Sequence, residues 1–293
     1  MNASRCLLAI YGPTGSGKTA LAEALADELE AVLLNSDNFQ VYRGLDIGTA
    51  KPTDRHRYRL LDLCEPTEQF GLGEWLRLAA EELNQLYAEQ RNVVIVGGSG
   101  LNMRALLNGY GELHAPPEPA LREELNDQLE ASGLEALVER LTTLDPIAAD
   151  RTDLSNPLRV TRAIERLLSP PLEPVSQPYT NTLKLGIKMD PEINRQRIGQ
   201  RYFEMLEEGW LEEVQRIKRS GVPFDAPGLK AHGYRKLWNC EESVPSEVSE
   251  SIITEIQQYS KRQRTWMRKE PELNWVEHSN DDDAMRRHAL ALL

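Results

Sequence analysis

A glycine-rich stretch near the start of the chain has the spacing of a phosphate-binding loop. Gly12, four intervening residues and Gly17-Lys18-Thr19 fit the pattern G-x4-G-K-[ST]. Glycines there let backbone N–H groups converge on phosphate oxygens, and the start of a following helix adds partial positive charge. The stretch predicts a polyphosphate site in which Lys18 supplies a full charge and Thr19 can hold Mg²⁺. The residues of this phosphate loop are Gly12, Pro13, Thr14, Gly15, Ser16, Gly17, Lys18 and Thr19.

An acidic residue, Asp37, follows the second apolar run of the chain, residues 31–34. Ligands of open α/β sheets bind where the strands end, so Asp37 is expected at the same edge as the phosphate loop. From its position alone it could serve as a general base, a metal ligand or a helix cap. A third apolar run, residues 93–96, ends in Gly97-Gly98-Ser99 without an acid. That disfavours an ordinary NTP hydrolase, which places a metal-binding Asp at such a strand end.

The elements that must position these residues alternate between strand and helix. Apolar runs predict strands at 6–11, 31–34 and 93–96, and helical spacing predicts helices at 20–30 and 72–89. This order predicts an α/β fold with a parallel sheet and helices on both faces, as in the core of P-loop NTPases.

The middle of the chain changes character. Residues 115–179 show only helical periodicity and have proline clusters at both ends, which predicts an all-helical insertion domain within a core made of residues 1–114 and 180–293. A strand at 183–187 returns to the core. Long helices are expected at 191–220 and 246–269, and Asp281-Asp282-Asp283 as a solvated acidic tail.

Basic residues cluster in three places. Residues 261–269 carry five positive charges and no acid, and the spacing of Lys261, Arg264 and Arg268 predicts one exposed row that could track phosphates. By itself such a helix end also suits a solvated surface that complements the helix dipole. Arg159, Arg162 and Arg166 form a second row in the insertion. Arg197 and Arg201 are four apart, so they share a helix face, which could be solvated or face a ligand.

The composition limits the class of protein. The 293 residues suffice for about two domains, and 40% hydrophobic with 27% charged residues is typical of a globular chain. A net charge of −12 excludes a uniformly basic nucleic-acid coat protein but is compatible with a local basic patch. The three cysteines lie far apart, which disfavours a cysteine zinc site and favours a reducing cytoplasmic compartment. No run approaches the ~20 apolar residues of a membrane span.

Several segments resemble the tRNA dimethylallyltransferase family, also called tRNA isopentenyltransferases. Residues 37–52, DNFQVYRGLDIGTAKP, resemble the family's signature, and the phosphate loop resembles the family's loop, including its Pro-Thr pair. Gly97-Gly98-Ser99-Gly100-Leu101 resembles a Gly-Gly-Thr turn of the family. The matches follow the family's order and extend from residue 12 to residue 268. Three further segments resemble tRNA-contacting parts of the family: Leu158-Arg159-Val160-Thr161-Arg162, His232-Gly233-Tyr234-Arg235 and Lys261-Arg262-Gln263-Arg264-Thr265-Trp266-Met267-Arg268.

The resemblance implies a function and a set of partners. It implies transfer of a dimethylallyl group from dimethylallyl diphosphate to N6 of the adenosine just 3′ of the anticodon in certain tRNAs. It implies a P-loop core with a helical insertion that together clasp the tRNA anticodon stem-loop, and Mg²⁺ as the cofactor. No membrane partner is expected, and the chain is expected to act as a monomer.

The resemblance also assigns roles to residues. Asp37 is implied to be the base that takes a proton from N6, and Lys18 and Thr19 act on the diphosphate, with Thr19 as metal ligand. Ser99, Arg197 and Arg201 are implied to bind substrate. The target base must leave its stack to reach Asp37, and Phe39, Tyr42 or Tyr234 could stack on displaced bases. The residues implied to contact tRNA, besides Asp37 and the three segments above, are Asn38, Phe39, Gln40, Arg122, Lys230 and Ala231.

Departures from the family pattern leave alternatives open. Asn38 stands where the family usually has Ser or Thr, Ser99 where it has Thr, and Asn102 where it has Tyr. They are compatible with a divergent relative that has altered RNA choice. A second enzyme, an adenylate isopentenyltransferase acting on free AMP, ADP or ATP, would share the phosphate loop and Asp37. A third alternative is a non-catalytic RNA-binding protein.

Overall fold

The computed structural model describes residues 5–109, 114, 118–171 and 175–293. The chain divides into two compact units, one formed by Met1–Asn108 with Ser176–Leu293 and the other by Gly109–Val175. The insertion therefore begins and ends a few residues before the bounds of 115 and 179 expected from the sequence.

The larger unit is built on a parallel sheet of six strands. They are β1 Cys6–Tyr11, β2 Ala31–Asn35, β3 Tyr58–Arg59, β4 Asn92–Val96, β5 Asn181–Lys188 and β6 Asn274–Glu277. Their order across the sheet is β3-β2-β4-β1-β5-β6, and all neighbouring pairs are parallel. The central strand β1 is apolar throughout because both of its faces are covered, as parallel sheets require. The predicted α/β fold is confirmed.

The described part of the chain contains eleven α-helices, none of which has the length and hydrophobicity to cross a membrane. In chain order they are α1 Lys18–Glu28, α2 Leu72–Ala88, α3 Gly100–Asn108, α4 Pro119–Leu144, α5 Pro146–Arg151, α6 Pro157–Leu168, α7 Pro191–Glu207, α8 Trp210–Arg219, α9 Tyr234–Leu237, α10 Ser246–Met267 and α11 Asp282–Leu290.

Helices cover both faces of the sheet. Leu8 and Ile10 of β1 belong to one buried cluster with Leu21 of α1 and Met285 of α11. Because side chains alternate along a strand, Tyr11 points to the opposite face, where it stacks on Trp266 of α10 with ring centroids 5.9 Å apart. The edge that carries the phosphate loop is therefore enclosed from both sides.

Two predictions about the carboxyl-terminal half are wrong. The expected helix 191–220 is interrupted at Gly209, whose φ of +99° lies in the left-handed region that favours glycine, so α7 and α8 are separate. The acidic triplet 281–283 is exposed, as expected, but it is not a tail, since it forms the start of α11. The Asp281 carboxylate accepts hydrogen bonds from the N–H groups of Asp283 and Ala284 and so caps α11.

The smaller unit is helical, as the periodicity predicted. Its helices α4, α5 and α6 pack around a buried cluster that includes Leu137, Leu141 and Ile164. Each begins with a proline, a residue suited to the first turn because it lacks the N–H that has no partner there. Asp145 caps α5 and Asn156 caps α6.

Candidate active site

The phosphate loop connects β1 to α1, as its pattern demanded. Gly15 and Gly17 both have φ of +81°, and Gly17 directly precedes the first turn of α1. A Cβ on Gly12 would lie 2.5 Å from Ser16 Oγ, so the loop can close this tightly only with glycine there. Ser16 Oγ is buried and has no hydrogen-bond partner in the described part of the protein. A bound anion would supply one.

Two helices hold this loop from outside. The N–H of Thr14 donates to Gln263 Oε1 of α10 at 2.8 Å, and its carbonyl accepts from Asn194 Nδ2 of α7 at 2.8 Å. Arg197 Nε, also on α7, donates to the Gly15 carbonyl at 2.9 Å. The loop conformation is thus fixed by side chains that come from the other end of the chain.

Two cations, Lys18 of the loop and Arg201 of α7, lie close enough to interact electrostatically. Neither Lys18 nor Arg201 forms an ion pair among the described residues. Burial and the neighbouring charge of Arg201 lower the pKa of Lys18 to about 8, although Asp37 acts in the opposite direction. Burial also lowers the pKa of Arg201. Since Arg197 is occupied by the loop carbonyl, Arg201 is the member of the predicted pair that remains for a bound anion.

Asp37 lies two residues beyond the end of β2. Its Oδ1 accepts a hydrogen bond from the N–H of Phe39 at 2.9 Å, which closes a local turn rather than capping a helix. Its Oδ2 has no hydrogen-bond partner within the described residues and lies over Gly98, where a Cβ would be only 2.9 Å away. One carboxylate oxygen is structural, and the other is available to a ligand.

The glycines of the turn after β4 are explained by close packing. A Cβ on Gly97 would lie 2.3 Å from the backbone of Ser36, and one on Gly100 would lie 2.4 Å from the Trp266 ring. Ser99 is buried, and its N–H donates to the Ser36 carbonyl at 3.1 Å. This turn therefore brings β4, the Asp37 turn and α10 together.

Asp37 and the phosphate loop line one cavity of about 980 Å³, a volume that includes its open mouth. Its lining combines four polar side chains, Thr14, Lys18, Thr19 and Arg201, with four apolar ones, Ile198, Met205, Ala231 and Ile256. The predicted phosphate and base residues are thereby brought together, beside an apolar surface that the sequence analysis did not predict.

The cavity wall at residues 48–50 belongs to a loop fixed by two buried charges. The side chain of Lys51, 1% exposed, donates to the Tyr42 carbonyl and to the carboxylates of Asp46 and Asp62. Asp46 and Lys51 belong to the segment 37–52 that resembles the family's signature. They therefore hold the loop and do not line this cavity.

Glu213 of α8 is the second buried charge, and the sequence analysis missed it. Its carboxylate accepts from the N–H groups of Asp46 and Ile47 at 2.9 Å each, from that of Gly48 at 3.4 Å and from the Tyr234 hydroxyl at 2.6 Å. The available signal was an acid within the apolar stripe of this helix, since Glu213 lies between Leu211 and Val214.

Some predicted tRNA contacts are revised, because the side chains lie in the protein interior. Tyr42 and Tyr234 cannot stack on a base as placed here, whereas Phe39 lines the cavity. Gln263 joins the phosphate loop to Gly98, and Arg264 is half-buried and donates to Asn194 and Ser260, so it leaves the predicted exposed row. The other buried side chains of this set are Val160, Thr161, Ala231 and Met267.

Other predicted contacts lie on the surface or in ion pairs. On α10 and just beyond it, Lys261, Arg262, Thr265 and Arg268 are exposed, and Trp266 is half-buried. His232 lines the cavity, and Arg235 lies over the Phe224 ring. Lys230 and Leu158 are exposed, while Gly233 is buried beside Trp210.

The insertion's arginines are paired. Arg122 and Arg162 share the buried Glu165 at 2.9 and 3.0 Å, and Arg159 pairs with Asp153 at 3.1 Å. The predicted second row is thus partly neutralised within its own unit.

Comparison with known proteins gives one consistent family. A family model described as IPP transferase matches residues 40–270, more than half of the chain, and a model described as isopentenyl transferase matches residues 6–61. A curated tRNA dimethylallyltransferase of Geobacter metallireducens is 36% identical over 296 residues, covering 95% of this chain and 94% of the relative.

Solved structures agree. A tRNA isopentenylpyrophosphate transferase from Bacillus halodurans is 29% identical with a TM-score of 0.70, and the match covers 99% of this chain and 96% of that one. A eukaryotic dimethylallyltransferase acting on tRNA shares the fold at 20% identity, with a TM-score of 0.81 and coverage of 99% and 79%.

Proposed function

Because this chain belongs to the IPP transferase family, we propose that it transfers a dimethylallyl group from dimethylallyl diphosphate to N6 of an adenosine in tRNA, the one just 3′ of the anticodon. The observation that carries the proposal is that Asp37 and the phosphate loop line one cavity. The products are an N6-dimethylallyl adenosine and diphosphate.

The phosphate end of the cavity suits the leaving group. When the allylic C–O bond breaks, its electron pair stays on the diphosphate oxygen, so negative charge develops there. Lys18 and Arg201 are already positioned and form no ion pair among the described residues, and such prearranged charges stabilise a transition state more than a ground state. The allyl fragment, on which positive charge develops, can contact the apolar side chains that line the same cavity, among them Ile198, Met205 and Ile256.

Asp37 suits the role of general base. The exocyclic N6 is a weak nucleophile because its lone pair is delocalised into the ring. The free oxygen Oδ2 can accept the N6 proton as the new C–N bond forms, a contribution of roughly 10²–10⁴-fold for a positioned base. Since Oδ1 is held by the Phe39 N–H, the carboxylate is oriented before substrate arrives.

The donor set fits Mg²⁺, which we propose as cofactor. The described residues contain no cluster of three or more His, Cys, Asp or Glu, so no dedicated metal cage is present there. Mg²⁺ commonly binds through one or two protein oxygens together with substrate phosphates and water, and Thr19 lines the phosphate end of the cavity. When bound, the ion would neutralise charge on the diphosphate.

The choice between tRNA and free nucleotide rests on the rest of the chain. The helical insertion and the exposed cations Lys261, Arg262 and Arg268 on and beside α10 are not needed for a free nucleotide. Curated relatives matching nearly the whole chain are named for tRNA. That the chain works as a monomer in the cytoplasm stays a prediction from the sequence.

The test is transfer of label from radiolabelled dimethylallyl diphosphate to bulk tRNA or to AMP. We expect label in tRNA, and Asp37→Asn, which keeps the turn-forming oxygen, should slow single-turnover transfer by roughly 10²–10⁴-fold while donor binding is retained. Asp127→Asn, at an exposed position of α4 in the insertion, is the control and should leave the rate within about two-fold. Label that enters AMP alone would establish the free-nucleotide enzyme, and an absence of transfer to either would favour the non-catalytic alternative.

A further inference from the structure

Two asparagines next to the proposed base are bonded to each other. Asn38 follows Asp37 and is exposed, whereas Asn102 on α3 is only 1% exposed. The Asn102 Nδ2 donates to Asn38 Oδ1 at 2.8 Å. These are two of the positions at which the chain departs from the family pattern, and the structure shows that they form one unit.

The bond fixes the orientation of an exposed amide. Asn102 lies in the first turn of α3, and the start of that helix is held because Gly100 packs directly against the Trp266 ring. With its oxygen occupied by Asn102, the exposed Asn38 side chain keeps its amino group, Nδ2, without a hydrogen-bond partner among the described residues and therefore free for a ligand. An exposed asparagine would otherwise rotate freely and present either end.

The amide borders a second cavity, of about 640 Å³ including its open mouth, beside the one that holds Asp37. Gly97 and Tyr259 line both cavities. The second cavity is lined by the apolar side chains of Leu101 and Met103, by the indole of Trp266 and by the cation of Arg262. Leu101 is 49% exposed and so offers an apolar surface to a ligand, whereas the Trp266 ring is already in contact with Tyr11 and with Arg104, whose guanidinium carbon lies 4.2 Å from the ring centroid.

These features are those of a site for a single unstacked base. Nucleobases in single-stranded RNA are bound by stacking on aromatic or apolar faces and by hydrogen bonds to their edges, and side-chain amides read such edges. Asp37 and Asn38 are consecutive residues that line different cavities, so a base in the second cavity is a neighbour of the base at Asp37 rather than the same base.

We propose that Asn38 Nδ2 donates a hydrogen bond to an acceptor atom on the nucleotide flanking the target adenosine, and that Asn102 is the positioning residue that keeps this amino group outward. The inference rests on the proposed function, since it takes tRNA as the acceptor. In this proposal Asn38 contacts the RNA and sets the base preference, whereas Asn102 acts only through Asn38 and does not touch the RNA.

The experiment uses anticodon stem-loops that carry each of the four bases on either side of the target adenosine. Transfer from dimethylallyl diphosphate gives the ratio of kcat/KM between the best and the worst flanking base. Binding of the same stem-loops without donor is measured in parallel. We expect Asn38→Ala and Asn102→Ala to reduce the wild-type ratio by about three- to ten-fold, the worth of one hydrogen bond.

Asn102→Asp gives the sharpest readout. An aspartate there can only accept, so Asn38 must turn its amino group inward and present its oxygen to the RNA. The preferred flanking base should then change from one that offers an acceptor to one that offers a donor, and Asn38→Asp should produce the same change. Asn84→Asp, an exposed amide on α2 outside both cavities, is the matched control and should keep the wild-type preference.

The outcomes separate the two proposals. Unchanged base preference in all four Asn38 and Asn102 variants, in both transfer and binding, overturns the inference even if tRNA is prenylated. If the wild type transfers no label to any stem-loop, the proposed function fails, and the binding preferences still decide whether Asn38 reads a base. A thermal melt of each variant identifies any that fail to fold. If an Asn102 variant fails to fold, the base preferences of the Asn38 variants decide whether the inference holds.

Discussion

Gln263 accepts a hydrogen bond from the backbone N–H of Thr14 at 2.8 Å, so the basic helix α10 is bonded directly to the phosphate loop. The other end of the same amide, Nε2, donates to the Gly98 carbonyl at 2.9 Å, beneath the free oxygen of Asp37. A single side chain thus sets the spacing between the site that holds the leaving group and the site that holds the base. This residue lies in the segment 261–268, which resembles a tRNA-contacting part of the family, although its helical spacing places Gln263 on the face toward the core.

Replacing Gln263 with leucine should therefore damage catalysis more than RNA binding. Leucine is similar in size but leaves the Thr14 N–H without its partner, so we expect the free energy of unfolding to fall by about 2 kcal/mol. We expect kcat/KM to fall on the order of 10²-fold, because small displacements of reacting groups are costly. Stem-loop affinity should change little. Gln258→Leu, at an exposed position of the same helix, should leave all three quantities near the wild type, and a selective loss of RNA affinity in Gln263→Leu would contradict this assignment.

Local sequence patterns predicted the core of the site because its parts follow strands. The phosphate loop after β1 and Asp37 after β2 line one cavity, although β4 lies between these strands, because all the strands of a parallel sheet end at the same edge. The apolar wall could not be predicted in this way. Ile198 and Met205 come from α7 and Ile256 from α10, and only tertiary packing brings them into the same cavity as the loop.

The segments that resemble tRNA-contacting parts of the family were harder to interpret than the residues that follow the strands. A segment such as 261–268 mixes exposed cations with residues that carry the structure, and composition does not separate the two. Lys261 and Arg268 are exposed, while Arg264, at a helical spacing expected to share their side, turns inward to Asn194. The polar group Asn194, buried on a different helix, decides that orientation, and it is 70 residues away in the sequence.

Glu213 should be needed for both stability and donor affinity. Its carboxylate holds three consecutive backbone N–H groups of the loop whose next residues form the cavity wall. Glu213→Ala leaves these donors and the Tyr234 hydroxyl buried without a partner, so we expect a loss of about 3 kcal/mol in chemical denaturation. The KM for dimethylallyl diphosphate should rise in Glu213→Gln even where the protein remains folded. The neighbouring exposed Glu212→Gln should stay within about 0.5 kcal/mol of wild type; equal effects of the two substitutions would show that the loop is not held by Glu213.

The activity should lose donor affinity in alkaline solution because of Lys18. Burial and Arg201 lower its pKa to about 8, so the free enzyme loses this positive charge as the pH rises through 8. A bound diphosphate favours the charged form and raises the pKa again. We therefore expect kcat/KM for dimethylallyl diphosphate to fall above about pH 8, and kcat at saturating donor to fall only at higher pH.

The lowered pKa of Lys18 also predicts how the free energy of unfolding depends on pH, and a substitution of Lys18 provides a control. The folded-state pKa is below the ordinary value of 10.5, so the unfolded chain binds this proton more tightly between about pH 8 and 10.5. The contribution of Lys18 to the free energy of unfolding should rise with pH across that window. In Lys18→Arg the charge persists, so kcat/KM, although lower overall, should show no decline near pH 8. A decline at the same pH in this variant would assign it to another group.

The salt dependence of stem-loop binding should distinguish the exposed cations Lys261 and Arg268, on and beside α10, from the half-buried Arg264. Each lysine or arginine that neutralises a phosphate contributes about 0.7–0.9 to the slope of log affinity against log salt concentration. We expect Lys261→Ala and Arg268→Ala each to weaken stem-loop binding and to reduce that slope by nearly one, roughly equally for all sequences. Arg264→Ala should instead lower the melting temperature, because Asn194 and Ser260 lose a partner, and should leave the slope unchanged. Binding titrations of the three variants over a series of salt concentrations provide the measurement, and a reduced slope in Arg264→Ala with unchanged stability would return that residue to the RNA surface.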